Sequence, residues 1–253
     1  LKDNTLNIPE FSLSFEELSG PVIFDTKTGF EKTDLDGVLF GLPVALQISS
    51  ESDSGQIQRF FVSADGSARQ EELSDWPMQS DFVKILLGQM NGEVDYAASL
   101  LVDQSQELTS NFLTIRSSLQ GSALSLPPPF GKNSASTLPL YIELKYGDED
   151  LVSGTLGEKL SFALDPGSPN NNAIIYLGDD DIDLTSLIES DVEGVAIFGN
   201  LDKIELEDWI SLISDLNQTG SAAAGLDNSL EFIDISTDIF EFYDQEFLNV
   251  NIR

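Results

Sequence analysis

The sequence predicts an α+β fold of two tandem homologous α/β units. Each is a mainly antiparallel sheet with helices on one face, the pair related by pseudo-two-fold symmetry and followed by a C-terminal extension. Three observations carry this. Six segments of the first half recur in the same order in the second, a proline-rich stretch lies between the halves, and the last residues match nothing earlier. The implied boundaries are a first repeat over 1–122, a linker over 123–137, a second repeat over 138–236 and an arm over 237–253.

The repeat begins with Ile8–Leu13 against Leu138–Glu143, then Gly41–Ser49 against Gly157–Asp165 and Phe60–Asp65 against Ile175–Asp180. It continues with Val83–Gly88 against Gly194–Gly199, Asp95–Asp103 against Glu207–Asp215, and Phe112–Ile115 against Phe232–Ile235. Most pieces are short, rich in Val, Ile, Leu and Phe, and bounded by Gly, Pro, Asn, Asp and Ser, as strands are. Pro43–Ser49 and Ile57–Ser63 flank a polar connection and predict a hairpin, with the same arrangement across Pro166–Asn172. Leu206–Leu216 sets Leu206, Ile210 and Ile213 on one face at helical spacing, with Glu205 and Glu207 at the start where acids favour the macrodipole. Shorter helices are expected over Asp183–Glu189 and Arg69–Leu73. Pro127-Pro128-Pro129 removes three backbone donors and favours an extended, semi-rigid connection.

In the tail, Phe240, Phe242, Tyr243, Phe247 and Ile252 interleave with polar and acidic residues. They read either as extra strands on the sheet or as an assembly arm that adds a strand to a neighbour's edge.

Composition bounds the chemistry. The chain carries 12 Lys+Arg against 44 Asp+Glu, a net charge of −32, and no Cys or His. Such a surface repels nucleic-acid phosphates and anionic membranes. It suits a saline or divalent-rich setting or a basic partner, and equally a simple solubility adaptation. Disulfides, Cys/His zinc sites and His-dependent nucleophile systems are excluded. No apolar stretch reaches the length of a membrane-spanning helix. Asp179, Asp180 and Asp181 form the densest carboxylate cluster, a weak candidate for Ca²⁺, but Leu184 and Ser190 stand where an EF-hand needs Gly and Glu. The alternative is a solvated turn with Asp183 capping a helix. Asn217-Gln218-Thr219 fits a glycosylation acceptor. No cofactor motif is present, and the expectation is a protein that is not an enzyme.

The paired segments Gly41–Asp65 and Gly157–Asp180, with Ser99-Leu100-Leu101 and Ser211-Leu212-Ile213, give the chain an architectural resemblance to the diatom pyrenoid shell proteins. That resemblance implies a self-assembling sheet or shell around the Rubisco matrix in the chloroplast stroma. Its partners would be further copies of the chain, and Rubisco or a basic linker protein. A surface-layer or capsid-type protein of a marine or halophilic microbe, or a Ca²⁺-dependent binding module, competes with it.

Overall fold

The computed structural model describes residues 1–76, 87–104, 110–147, 150–168, 172–188, 194–210 and 230–253. It begins with β1 (Asn4–Ile8), a 3₁₀ turn (Pro9–Phe11), β2 (Leu13–Ser19) and a small hairpin of β3 (Phe24–Asp25) and β4 (Gly29–Phe30). Then come β5 (Thr33–Leu39), β6 (Leu42–Asp53), β7 (Gln56–Arg69), α1 (Gln70–Asp75), β8 (Met90–Asp103), β9 (Ser110–Ser117) and β10 (Ser122–Leu124). The second half holds β11 (Leu140–Gly147), β12 (Leu151–Leu156), β13 (Leu160–Leu164), β14 (Ala173–Leu177), α2 (Leu184–Ile188), β15 (Val195–Glu205), β16 (Leu230–Phe242) and β17 (Gln245–Ile252).

These strands, apart from β3 and β4, join in one fifteen-stranded sheet. Its path follows chain order from β1 to β17, with β10 set aside against β8. Neighbours are antiparallel except β14–β15 and β15–β16, which are parallel. A parallel pair needs a crossover, and the segment carrying α2 provides the first.

This overturns the expected α+β arrangement of two related units. The ladder does not break between the halves: β9 pairs with β11 from Leu140↔Ser117 to Gly147↔Ser110. The matched segments are also not equivalent. Asp95–Asp103 lies in β8, whereas its counterpart begins as helix at residues 206–210. β7 and β8 run antiparallel, while β14 and β15 run parallel. Short alternating apolar segments resemble one another wherever they pair, so local likeness simulated a duplication. Among the described residues the helices are short and do not form a layer. α2 sits against the sheet through Leu184 and Ile188, which pack with Ala163, Ile174 and Tyr176.

Other local expectations hold. β6 and β7 form the predicted hairpin around Ser54-Gly55, and β13 pairs antiparallel with β14. Asp183 caps α2, accepting from Ser186 N at 3.2 Å and from the Thr185 and Ser186 hydroxyls at 2.7 and 2.6 Å. These bonds hold its carboxyl down at about 2. The Asn217 acceptor, residues 83–86 and the Ser211–Leu216 end of the expected helix lie outside the described residues.

The sheet turns a corner at its N-terminal end. β2 meets β5 at only Glu16↔Val38 and Ser19↔Asp36, with an irregularity between them. β1 and β2 therefore fold back over one face of the sheet. Phe15 and Leu18 bury against Leu35, Leu46 and Ala64, with Leu6, Ile8 and Leu13 alongside. Phe11 reaches as far as Tyr146 on β11, ring centroids 4.8 Å apart and edge to face. Trp76 pins it there, its indole N–H donating to the Phe11 carbonyl at 2.8 Å. The covered face is termed the inner one.

Candidate functional site

Register decides what the inner face presents, because residues paired across a ladder point to the same side. One row runs Leu46, Ala64, Ala98, Ile115, Ile142, Gly154, Phe162, Ile175, Ile197. The next runs Ile48, Val62, Leu100, Leu113, Leu144, Val152, Leu164, Ala173, Val195. Every side chain in both rows is apolar, from β6 to β15. The intervening outward row reads Gln47, Ser63, Ser99, Thr114, Glu143, Ser153. The sheet is therefore apolar inside and polar outside over most of its width, until α2 covers the outer face near β14.

Among the described residues two elements cover parts of the inner face. At one end lies the β1–β2 fold-back. Along the lower edge lies the segment after β10, which turns back through a Leu124–Lys132 bridge. Phe130 is buried there against Ile175, Leu177, Leu201 and Ile204, and its ring meets Trp209 at 6.1 Å. Lys132 fastens the turn. Its ammonium donates to the carbonyls of Ser122, Asn133 and Ser136. Burial lowers its pKa, and the three carbonyls that accept from it are neutral.

Between the two covers, Leu100, Ile115, Ile142, Leu144, Val152 and Leu164 are only half-buried. Ordinary sheet faces of this composition are sealed by a second layer. Here the half-buried strip from β8 to β13 spans four strand spacings, about 19 Å at about 4.8 Å each, and ends where Ala173 and Ile175 are buried on β14. Few polar atoms interrupt the inner face. The Tyr96 hydroxyl and Asn111 Oδ1 are buried there without a hydrogen-bond partner among the described residues. Burial, helped by the Asp65 charge, pushes Tyr96 up to about 12.

The residues singled out from sequence lie elsewhere. Asp179 is exposed and pairs with Lys159 at 3.5 Å, Asp180 accepts from the Tyr176 hydroxyl at 2.7 Å, and Asp181 is exposed. Among the described residues no group of three or more acidic side chains converges as a metal would require. Phe240, Phe242, Tyr243, Phe247 and Ile252 all lie on the β16–β17 hairpin. Phe240 stacks near Phe247 at 6.4 Å, Phe242 near Tyr243 at 4.4 Å, and Ile252 packs toward Phe130 and Leu201. Sequence reasoning missed the inner face. Alternation within each strand was readable, but alignment of those faces across the sheet is a property of long-range register.

A family model, described as YhdP protein, matches residues 1–253. The chain belongs to the YhdP protein family. No curated protein and no solved structure matches it. Membership in this bacterial family overturns the resemblance to diatom pyrenoid shell proteins and the chloroplast setting that came with it. The sheet explains the error, since the two repeated units on which the resemblance stood are not present. No helix among the described residues is long and apolar enough to cross a membrane, which does not bear on strands.

Proposed function

We propose that this chain holds long apolar chains, such as the acyl chains of lipids, along the inner face of its sheet. The carrying observation is the unbroken apolar register from β6 to β15, left half-buried from β8 to β13 between two partial covers. An apolar patch of that extent is normally covered in a monomer, and when open it marks a ligand groove or an interface. The half-buried residues form two adjacent rows that run across five strands, a shape that suits a chain. Each methylene it takes from water contributes about 0.8 kcal/mol. About 19 Å of strip exceeds the roughly 15 Å depth of one bilayer leaflet, so a full acyl chain fits. The net charge of −32 disfavours anionic head groups and favours neutral or zwitterionic ones. The role is carriage, not catalysis. The test is a photo-crosslinking residue placed at Ile142, facing in, and separately at Glu143, facing out.

The outer edge of β17 favours a second activity, self-association by strand addition. Tyr243, Phe247 and Leu248 are exposed there. Gln245–Arg253 carries only Glu246 and Arg253, so this edge is neutral in a strongly acidic chain. Unprotected edges are templates for pairing. Sedimentation from about 0.01 to 0.5 M salt, where the Debye length falls from roughly 30 to below 10 Å, should show salt-induced association. Charged substitutions at Phe247 and Leu248 should abolish it, and a monomer at every salt concentration would refute it.

A further inference from the structure

We propose that the β3–β4 hairpin is the port through which an apolar chain enters the inner face. This inference rests on the acyl-chain function proposed above and says where the ligand gets in.

The hairpin presents apolar side chains to solvent where nothing in the fold requires it. Ile23 and Phe24 are 55% and 50% exposed, and Val22 beside them is exposed too. The turn that displays them is well made. Asp25 Oδ1 accepts from the backbone N–H of Lys27 at 2.8 Å and of Thr28 at 3.1 Å, and Phe24 pairs with Phe30 across the ladder. The hairpin is anchored to the sheet at the upper end of β6. Phe30 N–H donates to Ser50 Oγ at 3.1 Å, and Gly29 sits against Ser50 so closely that a Cβ would lie 2.5 Å from the serine's own.

Three rings connect the exposed tip to the inner face. Phe24 lies 4.9 Å from Phe30, and Phe30 lies 6.4 Å from Phe60. Phe60 pairs with Val102 one row above Val62 and Leu100, so it is the first residue of the inner face at that end. A continuous apolar track thus leads from solvent to the half-exposed strip. Its electrostatics suit entry as well. Across Pro21–Lys32 the acids Asp25 and Glu31 are balanced by Lys27 and Lys32, so a lipid head group meets a neutral surface on an otherwise acidic protein. A port of this kind lowers the barrier to entry and exit alike and leaves the equilibrium unchanged.

Stopped-flow binding of a neutral NBD-labelled monoacylglycerol tests this, comparing wild type with I23S/F24S and with L100N. The substituted hairpin side chains are exposed, so the double variant should fold, and far-UV circular dichroism checks it. The expected result is that I23S/F24S slows both loading and release by about fivefold or more with an unchanged binding midpoint. L100N, inside the strip, should weaken the midpoint instead. Unchanged rates in I23S/F24S would overturn the port and leave the groove standing. A weakened midpoint in I23S/F24S would also overturn it, by making the hairpin part of the binding site. If wild type fails to bind, or binds no better than L100N, the acyl-chain function falls and the port with it.

Discussion

Tyr96 shows how single residues shape the inner face. Its ring lies over Gly66, where a Cβ would come within 2.9 Å of the phenol oxygen, so residue 66 has no room for a side chain. Its hydroxyl is buried without a partner among the described residues, and burial raises its pKa to about 12. A raised pKa means the folded chain holds the phenol proton more tightly than the unfolded one. That contribution is complete below the ordinary phenol value of about 10 and is lost as pH climbs through about 12. Tyr96→Phe removes both the titration and the unpaired hydroxyl. It should stabilise the protein by about 1 kcal/mol at neutral pH and flatten the loss above pH 10. Urea midpoints at pH 7 and pH 11 check this, and a destabilised variant would show that the hydroxyl has a partner after all. In the sequence the segment that carries Tyr96, Asp95–Asp103, looked like a counterpart of Glu207–Asp215. The likeness failed because the first segment lies in a strand and the second begins as a helix, a difference set by the neighbours each segment packs with.

Among the elements, the turn after β10 seals the lower margin of the inner face. Three successive prolines supply no backbone donors, so this stretch cannot extend the ladder and instead packs through side chains. Phe130 is its anchor, 3% exposed among Ile175, Leu177 and Leu201. Phe130→Ala should cost about 3 kcal/mol in urea unfolding, the usual result of emptying a buried aromatic site. A cost below about 1 kcal/mol would mean the site collapses easily and the turn is a loose cover. The proline run was legible as a break in regular structure. That it lies on the sheet was not, because the residues that hold it, from Ile175 to Ile204, come much later in the chain. The β6–β7 hairpin, by contrast, was readable from its two apolar runs and polar turn, and the Asp183 cap from a single residue before a helix, since both are local.

For the whole molecule, the acidity, the absence of Cys and His and the abundance of apolar residues were read correctly, and they narrow the chemistry without naming a function. The candidate site was illegible for a physical reason. Val62, Leu100, Leu113, Leu144 and Val152 lie on different strands, and only the ladder registers set them side by side. A one-residue slip in any pairing would turn that strand's apolar side chains outward. The same dependence gives the account its sharpest test, because adjacent residues of one strand should behave oppositely. Ile142 and Glu143 on β11 are such a pair, Ile142 beside Ile115 on the inner face and Glu143 beside Thr114 on the outer. With p-benzoylphenylalanine at each position in turn, the protein is irradiated in bacterial cells and analysed by intact mass spectrometry. Adducts of lipid mass at position 142 and none at 143 are the predicted result. Equal labelling at both positions, or no lipid adduct at 142, would contradict the proposal that the inner face of this sheet holds acyl chains.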